Sequence, residues 1–211
     1  MHTKVTRSSA GFTDRLHPPA GGLDVLLDSA ASQFARFGLS GVSMRDIGRE
    51  VGYTAPLICY HFATKDNLYL EAFSHKMEQT MEQIAERLDR VSDPGRRYVV
   101  LVEALYDLFV ADSDLLALAQ RDIIDASNGQ RPLLSRRQFQ HFNAMIRQLA
   151  TEFTGAEVSE RTAFAVTALV FGYCLMSNVR RSLGGGGAEA AAADRAELIR
   201  QAVKLVAEPT Q

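Results

Sequence analysis

The sequence predicts an all-α fold, with a small N-terminal three-helix head and a larger helical body. Three observations predict it. Apolar residues recur at helical spacing in each long segment. No segment alternates apolar and polar residues with the period of a strand. Glycines, prolines and short capping residues punctuate the helical runs at the places where helices start and stop. The chain has 211 residues, 46% hydrophobic and 23% charged, enough for one large or two small domains with a real core.

Residues 1–22 are polar and end in Pro18-Pro19 and Gly21-Gly22. They read as a flexible arm, with Lys4, Arg7 and Arg15 available for phosphates or a minor groove. The stretch holds no continuous apolar core, so it does not read as a secretion signal. The first helix spans about Leu23 to Phe37, with Leu23, Leu26, Leu27, Ala30, Ala31 and Phe34 as its apolar stripe, and Gly38 stops it.

Ser43 to Lys65 carries the densest signal. Ser43 precedes an apolar-periodic run and has Asp46 three residues on, a pairing that satisfies the free N–H groups of a first helical turn. Met44, Ile47 and Val51 give that helix a buried face, and Gly52 ends it in a turn. Thr54 is a second N-cap candidate, with Pro56 in the following first turn. On the helix from Ala55 to about Ala63, the spacing puts Ile58, His61 and Phe62 on a core side. Ala55, Pro56, Cys59 and Tyr60 fall on the other. That second face is uncharged where a solvated face is normally charged, which suits entry into a major groove. Thr64-Lys65-Asp66 starts the next helix. A lysine beside a helix N-terminus is locally unfavourable unless an anion such as a DNA phosphate docks there.

The string LLDSAASQFARFGLSGVSMRDIGREVGYTAPLICYHFATKDNLYLEAF, within residues 23–73, resembles the N-terminal domain of the TetR (tetracycline-repressor) family of bacterial transcription regulators. The resemblance covers nearly fifty residues, from the S-M-R-D-I and V-G segments to the Y-x-F close and the K-x-x-L start. It implies a helix-turn-helix DNA-binding domain at 23–70, an effector-binding and dimerisation domain at 71–211, and a double-stranded DNA operator as partner. The candidate DNA-contacting residues are Ser43, Arg45, Thr54, Ala55, Pro56, Cys59, Tyr60, His61 and Lys65. The family usually has an aromatic residue where this chain has Cys59, leaving Tyr60 beside it as the aromatic available there.

The body follows in helical steps. A long helix runs from Lys65 to about Val91 and is broken at Asp93-Pro94-Gly95. Further helices are expected from Arg96 to Ala111, from Asp112 to Ser127 before Asn128-Gly129, and from Leu133 to Phe153 before Gly155. Glu157 to about Ser182 is apolar almost all round. Its Thr, Ser and Asn residues and its Arg180-Arg181 end favour a helix covered on both faces over a membrane span. Its small residues Ala163, Ala165, Ala168 and Gly172 allow close approach of another helix. After GGGGAEAAAA, a last helix carries Leu198, Ile199, Ala202, Val203, Leu205 and Val206 on one face. This pair, about 157–182 and 190–207, suits a two-fold four-helix interface, hence a homodimer.

Candidate effector-pocket residues are Tyr98, Phe109, Arg121, Asp122, Asp125, Phe142 and Tyr173, with Tyr106, Phe139, Met145 and Met176 as further apolar walls. The effector itself is an unknown small molecule. Each aromatic is equally at home in plain core packing, and Arg121 and Asp125 are spaced to pair along a helix surface.

Net charge is −2, so no global basic field marks a nucleic-acid binder. Residues 1–65 hold seven Lys/Arg against five Asp/Glu, and the rest 16 against 20, an asymmetry in the direction expected for a DNA-binding head. Cys59 and Cys174 match no metal spacing and read as free thiols of a cytoplasmic protein. The scattered histidines and the missing nucleophile–base–acid set point to no metal, no cofactor and no enzyme. Two other readings stay open at this stage: a redox switch at Cys59 on the presumed DNA face, and a helical enzyme or adaptor that reuses the fold.

Overall fold

The computed structural model describes residues 22–127, 136–184 and 187–208. Every regular element among the described residues is an α-helix. The chain divides into two compact units, Met1–His75 and Lys76–Gln211.

In the first unit, α1 (Gly22–Phe37), α2 (Met44–Val51) and α3 (Ala55–Phe62) are followed by the start of α4 (Lys65–Asp89). Leu26, Ala30 and Phe34 of α1, Ile47 of α2, Ile58 and Phe62 of α3, and Leu68 and Phe73 of α4 form one core. Full burial of such large side chains stabilises by roughly 1.5–3 kcal/mol each. Phe34 meets Tyr69 edge to face with centroids 5.3 Å apart, the arrangement the ring quadrupoles favour. On the rim, Ser29 and Gln33 of α1 both donate to Glu50 of α2, at 3.1 and 2.5 Å. His75 lies 3.6 Å from Asp28, relating α4 to α1.

In the second unit the rest of α4 is followed by α5 (Pro94–Ala111), α6 (Ser113–Ser127), α7 (Arg136–Thr154), α8 (Glu160–Ser182) and α9 (Ala188–Ala207). Helix α5 is central and packs on α7, α8 and α9. Its Leu101, Val102 and Leu105 are buried with Ile146 and Leu149 of α7, Val166 and Val170 of α8, and Leu198 and Ala202 of α9.

Several boundaries differ from the sequence reading, for local chemical reasons. Asp93-Pro94-Gly95 begins α5 as well as interrupting the chain. The Asp93 carboxylate accepts the Arg96 N–H at 2.6 Å, and Pro94 occupies the first turn, where its missing N–H is harmless. The preceding helix ends at Asp89, short of Val91. Asp112 lies outside α6 and caps it, accepting the Leu115 N–H at 2.9 Å. Ser159 does the same for Thr162 at 3.1 Å, so α8 starts later than Glu157. Asn128-Gly129 and the expected start at Leu133 lie outside the described residues, as do residues 1–21.

Helix α8 has the length and apolar composition of a membrane span over Glu160–Arg180, a test that core helices of soluble proteins also pass. Its two sides behave differently within this chain. Ala163, Val166, Val170, Cys174 and Ser177 are buried, whereas Phe164, Met176 and Val179 are 59%, 56% and 42% exposed. Of the small residues expected to admit a neighbour, Ala163 serves the core, while Ala168 and Gly172 lie on the open side.

Candidate nucleic-acid interface

The interface is built where three helix ends converge in the first unit. Helix α2 starts on Ser43, whose backbone is extended and whose hydroxyl accepts the Asp46 N–H at 3.1 Å. That hydroxyl in turn donates to the Asp46 carboxylate at 2.5 Å. This bond, helped by the Ser43 backbone and by Arg49 and Arg45, holds the Asp46 carboxyl below its ordinary range. Arg49 also forms an ion pair with Asp46, while Arg45 is exposed at the helix start.

The turn after α2 is closed by two bonds to one acceptor. Gly52 is left-handed (φ 78°, ψ 17°) and donates to the carbonyl of Gly48. Tyr53 donates to the same oxygen at 2.7 Å. Gly48 makes this geometry possible, because a Cβ there would lie 2.4 Å from the Tyr53 carbonyl oxygen. Gly48 is not among the residues that the sequence pattern singles out. A glycine in mid-helix, where it costs about 1 kcal/mol relative to alanine, is the signal that marks it.

Helix α3 begins at Thr54, which has the N-cap backbone conformation but makes no side-chain cap bond. Pro56 stands in its first turn. Leu57, Ile58 and Phe62 turn inward. Pro56, Cys59, Tyr60 and His61 are exposed, Tyr60 by 72%. His61 therefore departs from the core side where its spacing put it. It stands in the last turn of a short helix, on a groove of about 470 Å³ shared with Leu23, Asn67, Leu70 and Glu71. Its ring meets that of Tyr60 edge on at 5.3 Å. Ala63 then closes α3 with a positive φ of 57°, and the Thr64 hydroxyl accepts the Asn67 N–H at 3.1 Å as α4 begins.

Two contacts draw these parts into one patch. Lys65, at the first position of α4, donates from Nζ to the Val42 carbonyl at 3.0 Å, which places its ammonium beside Ser43 at the start of α2. The Cys59 thiol lies 3.4 Å from the sulfur of Met44, which joins the middle of α3 to the first residue of α2. Ser43, Met44, Cys59 and Lys65 thus come together, with Tyr60 standing out beside Cys59 and Arg45 exposed next to Met44. Met44 was not among the expected contact residues; it enters through its sulfur.

The expected effector residues of the second unit are more dispersed. Phe109 and Phe142 are both nearly buried, with centroids 6.1 Å apart, and Phe171 meets Phe109 edge on at the same distance. Tyr98 is fully buried and donates to the Ala202 carbonyl at 3.0 Å. Burial holds its hydroxyl well above the ordinary phenol range. Tyr106 donates towards Ser177 and the Ala191 carbonyl at 3.2 and 3.4 Å. Both tyrosines thus anchor α9 to α5. Asp122 is only 2% exposed, Arg121 is half-buried, and the side chains of Asp125 and Phe139 lie outside the described residues. Tyr173 and Met176 belong to an open groove of about 580 Å³ between α8 and α9, with Ala168, Gly172, Arg180 and Asp194. Cys59 and Cys174 are free thiols. Burial pushes the Cys174 thiol up to about 12, whereas Cys59 is exposed.

Comparison with known proteins bears on the same residues. Residues 26–72 match the family model described as bacterial regulatory proteins, tetR family. The chain is 27% identical over 157 residues to the HTH-type transcriptional regulator BetI of Agrobacterium fabrum, a span of 72% of this chain and 76% of that protein. Among solved structures, a TetR-family regulator from a Rhodococcus species superposes with a TM-score of 0.70 at 18% identity, over 90% of this chain and 100% of that one. A regulator from Saccharomonospora viridis, solved in complex with choline, superposes with a TM-score of 0.67 at 19% identity, over 85% and 94%. With the three-helix head and the helix-turn-helix geometry in place, residues 26–72 match the tetR family of bacterial regulatory proteins, and the chain as a whole shares the fold of TetR-like transcriptional regulators.

Proposed function

We propose that the chain is a homodimeric repressor that binds a pseudo-palindromic operator in the cytoplasm and releases it when a small-molecule effector binds. The observation that carries this reading is the patch where Lys65 meets Val42 and Cys59 meets Met44. It offers α3 to a major groove, with Ala55, Pro56, Cys59, Tyr60 and His61 towards base edges. Two helix starts, with Ser43, Arg45 and Lys65, are left for the flanking phosphates. Residues 23–70 then act as the DNA-binding domain and 71–211 as the effector and dimer domain.

A second copy is the occupant of the open side of α8. Phe164, Ala168, Gly172 and Met176 follow one another every four residues there and so form a single exposed stripe. Its centre is small and its flanks are large, which suits close packing against the same helix of another subunit. The effector site is the ring cluster of Phe109, Phe142 and Phe171. Aromatic faces suit a cationic ligand, and choline, held by the Saccharomonospora protein, is the first compound to try.

The test is recovery of genomic fragments bound by the full-length protein, followed by titration of choline and other small cations against the recovered DNA. Retention of a two-fold symmetric site supports the reading. Retention of no fragment at low salt contradicts it.

A further inference from the structure

Asp107 of α5 joins two helices that otherwise have separate tasks. Its Oδ1 accepts Nε of Arg195 at 2.8 Å and its Oδ2 accepts Nη2 of the same residue at 3.2 Å, a bidentate pair with α9. The same Oδ2 accepts Nη1 of Arg87 at 3.1 Å, from the last turn of α4. One turn back on α5, Glu103 lies 3.5 Å from both Arg195 and Arg96. Two carboxylates thus hold three guanidiniums, and removal of the Asp107 charge leaves Arg87 and Arg195 facing each other without a shared counter-ion.

The network reaches the α8–α9 groove through a single peptide bond. Asp194, next to Arg195, accepts Nη1 of Arg180 at 2.9 Å, and both Asp194 and Arg180 line that groove. The first turns of α9 are also held by Tyr106, which donates to the Ala191 carbonyl at 3.4 Å. The position of α9 at the groove therefore depends on α5, and through Asp107 on the end of α4, the helix whose first residue is Lys65. Isolated exposed ion pairs contribute little, but a shared acceptor with bidentate geometry fixes orientation as well as charge.

We propose that Asp107 is a positioning residue that couples the end of α4 to the pairing of subunits through α8 and α9. The coupling rests on the proposed dimer face, and Arg87 takes part in it without belonging to that face. Full-length copies carrying a donor or an acceptor dye are mixed, and subunit exchange and the concentration dependence of the dimer are followed for wild type, Arg87→Ala, Asp107→Asn and the double variant. Melting temperatures are recorded alongside. Arg87→Ala and Asp107→Asn are each expected to weaken the dimer about 5-fold or more, the lower end of ordinary inter-site coupling. The double variant is expected to be no weaker than Asp107→Asn alone, and Arg87→Lys to recover part of the loss. An unchanged dimer in Arg87→Ala, or a full additional effect of Arg87→Ala in the Asp107→Asn background, overturns the coupling. So does a fall in melting temperature with no change in exchange. A wild type that stays monomeric, or a Met176→Glu variant that stays as dimeric as wild type, instead removes the proposed dimer face.

Discussion

The ammonium of Lys65 and the carbonyl oxygen of Val42 lie 3.0 Å apart, across 23 residues of chain. The contact uses one of three ammonium donors and aims the charge at the meeting point of α2 and α4. Lys65→Ala is expected to weaken binding to all DNA sequences alike and to reduce the slope of log affinity against log salt by about one unit. The measurement is a binding titration from low to high salt with specific and random DNA. An unchanged slope removes Lys65 from the phosphate contacts.

Ser43 and Asp46 make a pH-dependent contribution to the head. The folded state holds the Asp46 carboxyl below its ordinary value, chiefly through the Ser43 hydroxyl. The stabilisation is therefore fully present above the unfolded pKa, near 4, and is lost as pH falls through the lower folded value. Ser43→Ala removes this hydroxyl and the N-cap bond, and is expected to cost on the order of 1 kcal/mol at neutral pH through the cap. The gap between the melting temperatures of the two proteins should narrow towards acid pH as the Asp46-linked part is lost, while the part from the cap bond to the Asp46 N–H remains. Curves that stay parallel throughout contradict the linkage.

Gly48→Ala is expected to damage the head while sparing the body. The new Cβ would meet the Tyr53 carbonyl at 2.4 Å, and the neighbour is backbone that also anchors the turn. Overpacking of this kind costs about 1–3 kcal/mol. Hydrogen exchange should rise across residues 44–62 and DNA binding should fall, with the α5–α9 amides unchanged. Normal protection of α2 and α3 in the variant would show that the turn yields easily.

Met176→Glu and Phe164→Glu each place a carboxylate on the open stripe of α8. Either is expected to shift the protein to monomer in sedimentation velocity and to weaken operator binding far more than a half-site. A dimer of wild-type strength in both variants places the subunit contact elsewhere.

The head was legible because its signals are local. Ser43, Gly52 and the Thr64-Lys65 start each act on backbone within four residues, and each occupies the expected place in the structure. His61 was misplaced on the core side because helical spacing gives direction around an axis, not whether another element covers that side. At the end of α3 the space beside it is an open groove. Asp93-Pro94-Gly95 reads as a break in the sequence and is also a start in the structure, since the same residues that stop one helix cap the next. In the body, Tyr98 and Tyr106 are expected as candidate pocket walls, whereas the structure uses their hydroxyls to anchor α9. Their bonds to Ala202 and Ala191 join residues 104 and 85 positions apart, a relation no local pattern encodes. The same holds for Asp107, whose partners come from 20 residues before it and 88 after it.

The most direct test of the central claim is selection of bound genomic DNA by the wild-type protein and by Tyr60→Ala, with sequencing and footprinting of the recovered sites. Tyr60 is 72% exposed beside Cys59 on α3. The account predicts a two-fold symmetric site protected in two adjacent major grooves, with Tyr60→Ala relaxing preference at one or two symmetric base-pair positions. Recovery of no enriched site, or a uniform loss of affinity in Tyr60→Ala with sequence preference intact, would contradict base reading by α3.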